Sequence, residues 1–256
     1  MGHSHERATR QPGGKPRCCL HCPRSGDAEP HRAGIAPLNR QDLLRERASS
    51  SAAATPEDET HVVVAGDWHG SCDWVGKAIP SIARHTPSVR TILHVGDFGI
   101  WPGVGGQKFL DAVDFWCNRA GVSRVLVTPG NHENWGWLNG EFNAKPGKPV
   151  ALSPVVVVLP RGYRFEIGKR NFASFGGAAS VDFEMRSLGM DWFPEELPTS
   201  YDVERAISGG QADVLLTHET IDGGTPASEH MLRSNLMRWS PKSGSPDVTV
   251  GGFRAP

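Results

Sequence analysis

Three times between residues 62 and 133, a short apolar run ends at a glycine beside a side chain that can hold a metal ion. Val62-Val63-Val64-Ala65 leads into Gly66-Asp67-Trp68-His69-Gly70. Ile92-Leu93-His94-Val95 leads into Gly96-Asp97, and Val125-Leu126-Val127-Thr128 leads into Gly130-Asn131-His132-Glu133. Such runs, bounded by turn residues, read as strands buried on both faces. In an open α/β sheet, sites assemble at the carboxyl ends of strands. Glycine beside each ligand lets the backbone turn with no Cβ in the way. Carboxylate, amide oxygen and imidazole together suit a divalent metal of intermediate hardness, such as Mn, Fe or Zn. One carboxylate can bridge two ions, and two ions can clamp both ends of an in-line phosphoryl displacement. Asp213-Val214-Leu215-Leu216-Thr217-His218 adds a fourth strand followed by a ligand.

The ordered set GD-x-HG, GD, GNHE and TH resembles the calcineurin-like metallophosphoesterase superfamily over roughly residues 61–240. A finer likeness, to small bacterial and phage members, rests on Gly176-Gly177-Ala178 with Ser180-Val181-Asp182 and on Asp191-Trp192-Phe193-Pro194-Glu195-Glu196. It also draws on Asp222-Gly223-Gly224-Thr225-Pro226 and Trp239-Ser240-Pro241. The resemblance implies a four-layer α/β/β/α sandwich. It further implies two divalent ions and hydrolysis of a phosphate mono- or diester by a metal-bridging hydroxide. By the same resemblance, Asp67 and His69 ligate the first ion, Asp97 bridges, and Asn131 and His218 ligate the second. His132 is then the non-ligand histidine that steadies or protonates the leaving oxygen. Glu133 stands behind it, orienting His132 or a metal-bound water.

The superfamily closes its site with a GH-x-H element, and no such element follows His218 in this sequence. The later histidine, His230, has different neighbours. The sequence therefore reads as a truncated, frame-shifted or divergent member, incomplete at its C-terminal end. Loss of the neighbouring strands would leave a sheet edge open, with poor solubility as the expected consequence. A non-catalytic binding scaffold is the competing functional class.

Each candidate also has an ordinary structural reading. Asp67 with His69 could be a helix N-cap beside a surface histidine, and Asp97 a turn former. His132 could be a turn residue, and His218 a core histidine satisfied by a backbone carbonyl. His94, inside its strand, reads as a buried structural residue. Asp182, Arg186 and Glu219 are further candidates for facing the cleft. Trp68, Trp101, Trp135 and Trp137 fall beside the motifs, as core packing or as an aromatic wall.

Composition sets the bounds. A formal charge of −1 over 256 residues offers no basic stripe, so nucleic acid ranks below a small phosphoester as substrate. No apolar stretch approaches a membrane span and no secretory signal is visible, so the expected location is cytoplasmic. Five cysteines are an odd number for a disulfide framework. Cys18-Cys19-Leu20-His21-Cys22 is too cramped for a zinc finger. Neither a serine nucleophile elbow nor a G-x-x-x-x-G-K-[ST] phosphate loop is present.

Residues 1–60 lack periodicity and favour disorder, residues 61–240 form the domain, and residues 241–256 are an irregular tail. Within the domain the pattern predicts strands at 62–66, 91–95 and 124–128, with helices around 73–84 and 106–120 between them. That alternation is a βαβαβ half with a largely parallel sheet. The second half predicts strands 155–159, 163–167 and 171–175, with a hairpin turn at Gly168-Lys169. A helix near 201–207 and a strand at 213–217 follow. Asn139–Val150 and Ala178–Thr199 read as long linkers, both candidates for lining the cleft.

Overall fold

The structure, a computed structural model, describes residues 59–180 and 182–219, together with 225, 226 and 230. Residues 1–58 of the unstructured extension expected over 1–60, the Cys18–Cys22 cluster, Trp239-Ser240-Pro241 and the tail at 241–256 lie outside the described residues. Five strands form the larger sheet: β1 (Val63–Ala65), β2 (Thr91–Val95), β3 (Arg124–Thr128), β4 (Val150–Ala151) and β5 (Val156–Val158), in the order β1-β2-β3-β5-β4. β1, β2, β3 and β5 run parallel, and β4 pairs antiparallel to β5. The smaller sheet contains β6 (Tyr163–Ile167), β7 (Arg170–Phe175) and β8 (Val214–Thr217), in the order β6-β7-β8. β6 and β7 form the predicted hairpin, its turn made by Gly168 at φ 55° and Lys169 at φ 65°. Both residues are in the left-handed region that a two-residue type I′ turn requires.

Alternation along the strands decides the layers. Ile92, Val125, Val127, Val156 and Val158 turn to one face and pack with Val75 and Ile79 of α1 (Cys72–His85). The same cluster holds Phe109, Val113 and Cys117 of α2 (Val104–Ala120) and Trp135 and Leu138 of α3 (Trp135–Ala144). Leu93, Leu126, Val157 and Leu159 turn to the other face and meet Phe165, Ile167, Phe172 and Leu216 of the smaller sheet. The central strands β2, β3 and β5 read as apolar runs because both of their faces are covered, whereas the edge strand β1 leaves Val64 60% exposed. On the outward side of β6, Arg164 donates to the carbonyl oxygens of Ala206, Gly210 and Gln211, at the C-terminal end of α4 (Ser200–Ser208) and just beyond it. Basic side chains suit the unpaired carbonyls there. The helix–sheet–sheet order with α4 outside is consistent with the α/β/β/α arrangement that the family resemblance implies.

Local signals set the helix ends. Ser71 accepts from the Trp74 amide at the start of α1. Asn134 does the same from Trp137 for α3, and Thr199 and Asp202 form a reciprocal capping box on α4. Gly121, left-handed at φ 75°, ends α2. One linker expectation changes in part. Residues 139–144 are the second half of α3, and Val150–Ala151 form β4, so the open stretch there is short.

At the amino-terminal ends of the strands, the end opposite the ligand loops, Glu59 is buried. Its carboxylate accepts from the Arg90 amide (3.0 Å), the Thr91 hydroxyl (2.7 Å) and Arg124 Nη2 (2.7 Å). A buried carboxylate needs this degree of pairing to be tolerated. Among the described residues no helix is long and apolar enough to cross a membrane.

Candidate metal centre

The ligand loops after β1 and β2 are joined through their backbones. The Asp67 amide donates to Gly96 O (2.9 Å), the His69 amide to Asp97 O (2.7 Å) and the Gly70 amide to Phe98 O (2.9 Å). To make these bonds three non-glycine residues take left-handed conformations: Asp67 at φ 58°, His69 at φ 47° and Asp97 at φ 54°. Such backbone costs of order 1 kcal/mol or more per residue and gathers at functional sites. Here it falls on three of the sequence-predicted ligands. Glycine is required where the loops touch. A Cβ on Gly130 would come within 2.2 Å of Asp97 Oδ1, and one on Gly96 within 2.3 Å of His218 Nδ1.

Asp97 sits at the centre of the arrangement. Its Oδ1 accepts the His132 amide at 2.9 Å and lies 3.4 Å from His218 Nε2, while Oδ2 lies 3.7 Å from His69 Nε2. His69 Nε2 is also 3.8 Å from Asp67 Oδ1. Burial pushes the Asp97 carboxyl upward, but the hydrogen bond and charge of His218 and the His132 amide outweigh it and hold it at about 2. Burial pulls the other way on His218, where the hydrogen bond and charge of Asp97 and the Val95 carbonyl win and raise it to about 9. His132 is pushed below its ordinary value by burial and by the Arg186 guanidinium, against the opposing pull of Asp97.

Two groups of side chains each bring three ligand atoms within 4.8 Å of one another: His69, Asp97 and His132, and Asp67, Asp97 and His218. Asp97 belongs to both, as a bridging carboxylate must. These clusters are positioned to coordinate a dinuclear metal centre. The donor set fits divalent ions in detail. His218 gives its Nδ1 proton to Val95 O at 2.8 Å. The proton shared with Asp97 is therefore the one that leaves when Nε2 takes a cation. The Asn131 amide nitrogen is held by Ser180 Oγ at 3.0 Å, so its carbonyl oxygen is the atom left to ligate.

Among the sequence-predicted residues, the structure brings Asp67, His69, Asp97, His132 and His218 into these two groups and places Asn131 on the same loop as His132. It pairs His69 with His132, with ring centroids 5.2 Å apart, and Asp67 with His218. Glu133 is fully buried, and its carboxylate accepts the amides of Phe98 (2.8 Å), Gly99 (3.0 Å) and Ile100 (2.8 Å). Its partners are thus the backbone of the loop that carries Asp97. Phe98 packs behind the site with Trp68, His94 and Phe109. Trp68 and Trp135 are core residues, and Trp101 and Trp137 pack partly buried against the same core.

The 178–199 segment crosses beside these loops. Arg186 lies against both ring nitrogens of His132 and is ion-paired to Asp182 at 2.9 Å. Ser180 bonds to Glu196, and Arg161 donates to the carbonyl oxygens of Gly176, Glu195 and Glu196. Sequence reasoning assigned no role to Ser180, Glu196 or Arg161. Their residue types carry no metal signal, and the one available hint was the segment's likeness to the small bacterial and phage subgroup.

No curated protein and no solved structure matches the chain. The calcineurin-like phosphoesterase family matches residues 60–252, most of the chain and all four ligand loops. With that match and with two His/Asp clusters sharing one carboxylate, the chain belongs to the calcineurin-like phosphoesterases.

Proposed function

We propose that this chain hydrolyses a small phosphate mono- or diester in the cytoplasm, with manganese as a competent metal. The observation that carries the proposal is the position of Asp97 as a member of both ligand clusters. By the family resemblance Asp67 and His69 would hold one ion and Asn131 and His218 the other, with Asp97 between them; the two clusters themselves set Asp67 beside His218 and His69 beside His132. Bound there, two divalent ions supply charge neutralisation for the phosphate and acidify a water to serve as nucleophile.

The protein's own groups do the rest. The Asp67–Gly96, His69–Asp97 and Gly70–Phe98 backbone bonds fix the spacing of the ligands. His132, anchored through its amide to Asp97, presents its ring beside His69. Held below its ordinary pKa, the imidazole is neutral near pH 7, and its place beside the Asp97 centre supports the role the resemblance gives it, steadying the leaving oxygen. Arg186, against that ring, adds a fixed positive charge for the phosphate oxygens. The near-neutral chain charge supports a small substrate over nucleic acid.

The test is Mn-dependent hydrolysis of bis-p-nitrophenyl phosphate and of p-nitrophenyl phosphate by the full chain. Turnover of either that Asp97→Asn abolishes supports the proposal, and the ratio of the two rates assigns diester or monoester. Folded protein that turns over neither ester under any divalent metal would leave a binding scaffold as the reading.

A further inference from the structure

We infer that Glu196 is a positioning residue for the metal centre. Acting through the Ser180 hydroxyl, it fixes which end of the Asn131 amide can face a metal ion. The inference rests on the dinuclear reading proposed above and names a residue outside its ligand set.

The argument is a count of protons. The Glu196 carboxylate accepts the Ser180 amide on Oε1 at 2.6 Å and the Trp192 indole N–H on the same oxygen at 3.2 Å. Its other oxygen, Oε2, stands 2.7 Å from Ser180 Oγ. Burial raises the Glu196 pKa from its ordinary value, while the Ser180 hydroxyl, the Ser180 amide and the Trp192 indole, all donating, favour the charged form. Ionised, the carboxylate only accepts, so the single hydroxyl proton of Ser180 goes to Glu196. The Ser180 oxygen then has only lone pairs to offer Asn131. The amide group 3.0 Å away must turn its Nδ2 toward Ser180, and its carbonyl oxygen is left for a cation. Without the carboxylate nothing sets the direction of the chain. Ser180 could then donate to Asn131, and the amide could turn its nitrogen toward the metal, where it cannot ligate.

The surroundings hold Glu196 in this place. It is buried, and its backbone carbonyl accepts Arg161 Nη2 at 2.7 Å. Gly177, at φ +97°, passes so close that a Cβ there would be 2.1 Å from the same carbonyl oxygen. Arg161 is itself buried, with its guanidinium 4.1 Å from the centroid of the Trp135 ring. A carboxylate seated this firmly, 16 residues along the chain from the hydroxyl it orients, is built to impose a direction on its partner.

The experiment measures Mn²⁺ binding to the full chain by titration calorimetry and the exchange-coupled EPR signal of a Mn pair. It compares the parent with Glu196→Gln, which keeps the shape but lets the hydrogen-bond chain reverse, and with Ser180→Ala, which breaks it. The expected result is two ions and a coupled signal in the parent. In both variants one ion is kept near parental affinity, the other is weakened about 10–100-fold, and the coupled signal is lost. The thermal midpoint without metal reports whether each variant still folds, and Ser180→Ala decides the matter if Glu196→Gln does not. Variants that bind both ions as the parent does overturn the inference and leave the dinuclear reading standing. So do folded variants that weaken both ions equally. A parent that binds no pair of ions overturns the dinuclear reading, and the inference with it.

Discussion

The two sides of the candidate metal centre are held by different means. On the larger sheet, the loops carrying Asp67, His69 and Asp97 are locked by backbone bonds that continue from the β1–β2 pairing. Behind them lie strands whose side chains, such as Leu93, have 0% exposure. On the other side, the 178–199 segment is held by side chains: Arg161 on three carbonyls, Glu196 on Ser180, and Arg186 on Asp182 and His132. The smaller sheet next to it keeps Leu215 54% exposed on its outward face among the described residues. The comparison teaches that ligand placement on the first side follows from forming the sheet at all. Placement on the second side depends on a few polar groups that single substitutions can remove.

The largest expected effect breaks the shared centre. Asp97→Asn removes the charge common to both clusters, and metal-dependent phosphoesterase turnover should fall by about 10³-fold or more, equivalent to roughly 4 kcal/mol of barrier. Steady-state assays across Mn²⁺ concentrations measure it, and a loss restored fully by excess metal would show Asp97 to be one ligand among equals.

The next effect separates backbone locking from chemistry. Glu133→Gln should destabilise the fold by about 3 kcal/mol, because a buried amide cannot accept all three loop N–H groups. Denaturant unfolding reads it. A variant as stable as the parent would mean that the loop carrying Asp97 is held by the sheet alone.

pH tests the core beneath the first side. His94 is buried with both ring nitrogens lacking a hydrogen-bond partner, and burial first, then the His218 charge, lowers its pKa from 6.5 to about 3. Between those values the unfolded chain binds a proton that the folded chain refuses. This group therefore makes stability fall as pH drops, by up to about 1.4 kcal/mol per pH unit. His94→Leu should flatten that part of the stability–pH profile, as measured by unfolding at pH 4, 5, 6 and 7. An unchanged slope would place the lost protons elsewhere.

The smallest effect lies on the second side. Lys169→Gly at the β6–β7 turn should stabilise the hairpin by about 0.5–1 kcal/mol, since lysine sits there at φ 65°. A decrease in thermal midpoint would show that the lysine side chain does more for the hairpin than its backbone costs.

How much of this was legible in the sequence follows the same division. The strands β2 and β3 were readable to the residue, because parallel strands covered on both faces leave unbroken apolar runs. Asp67, His69, Asp97 and Asn131 stood out because each sits beside glycine at a strand end, and His218 because it directly follows an apolar run. α3 was missed, since Gly136, Gly140 and Asn139 dilute the apolar spacing that announces a helix. β4, two residues long, has no pattern to read. The partners of Glu133, the Ser180–Glu196 pair and the anchoring role of Arg161 depend on contacts between residues 15 to 35 apart in the chain. Nothing local distinguishes those residues from any other acid, serine or arginine on a loop.

The bonds that join the first two ligand loops have a further consequence, for the entropy of metal capture. The Asp67, His69 and Gly70 amides are tied to the neighbouring loop just as ladder amides are tied within the sheet. Fixing a backbone residue costs about 1–2 kcal/mol, and here that cost is met when the sheet forms, before any ion arrives. Those three amides should therefore exchange their hydrogens as slowly as the interior of β2, with or without metal.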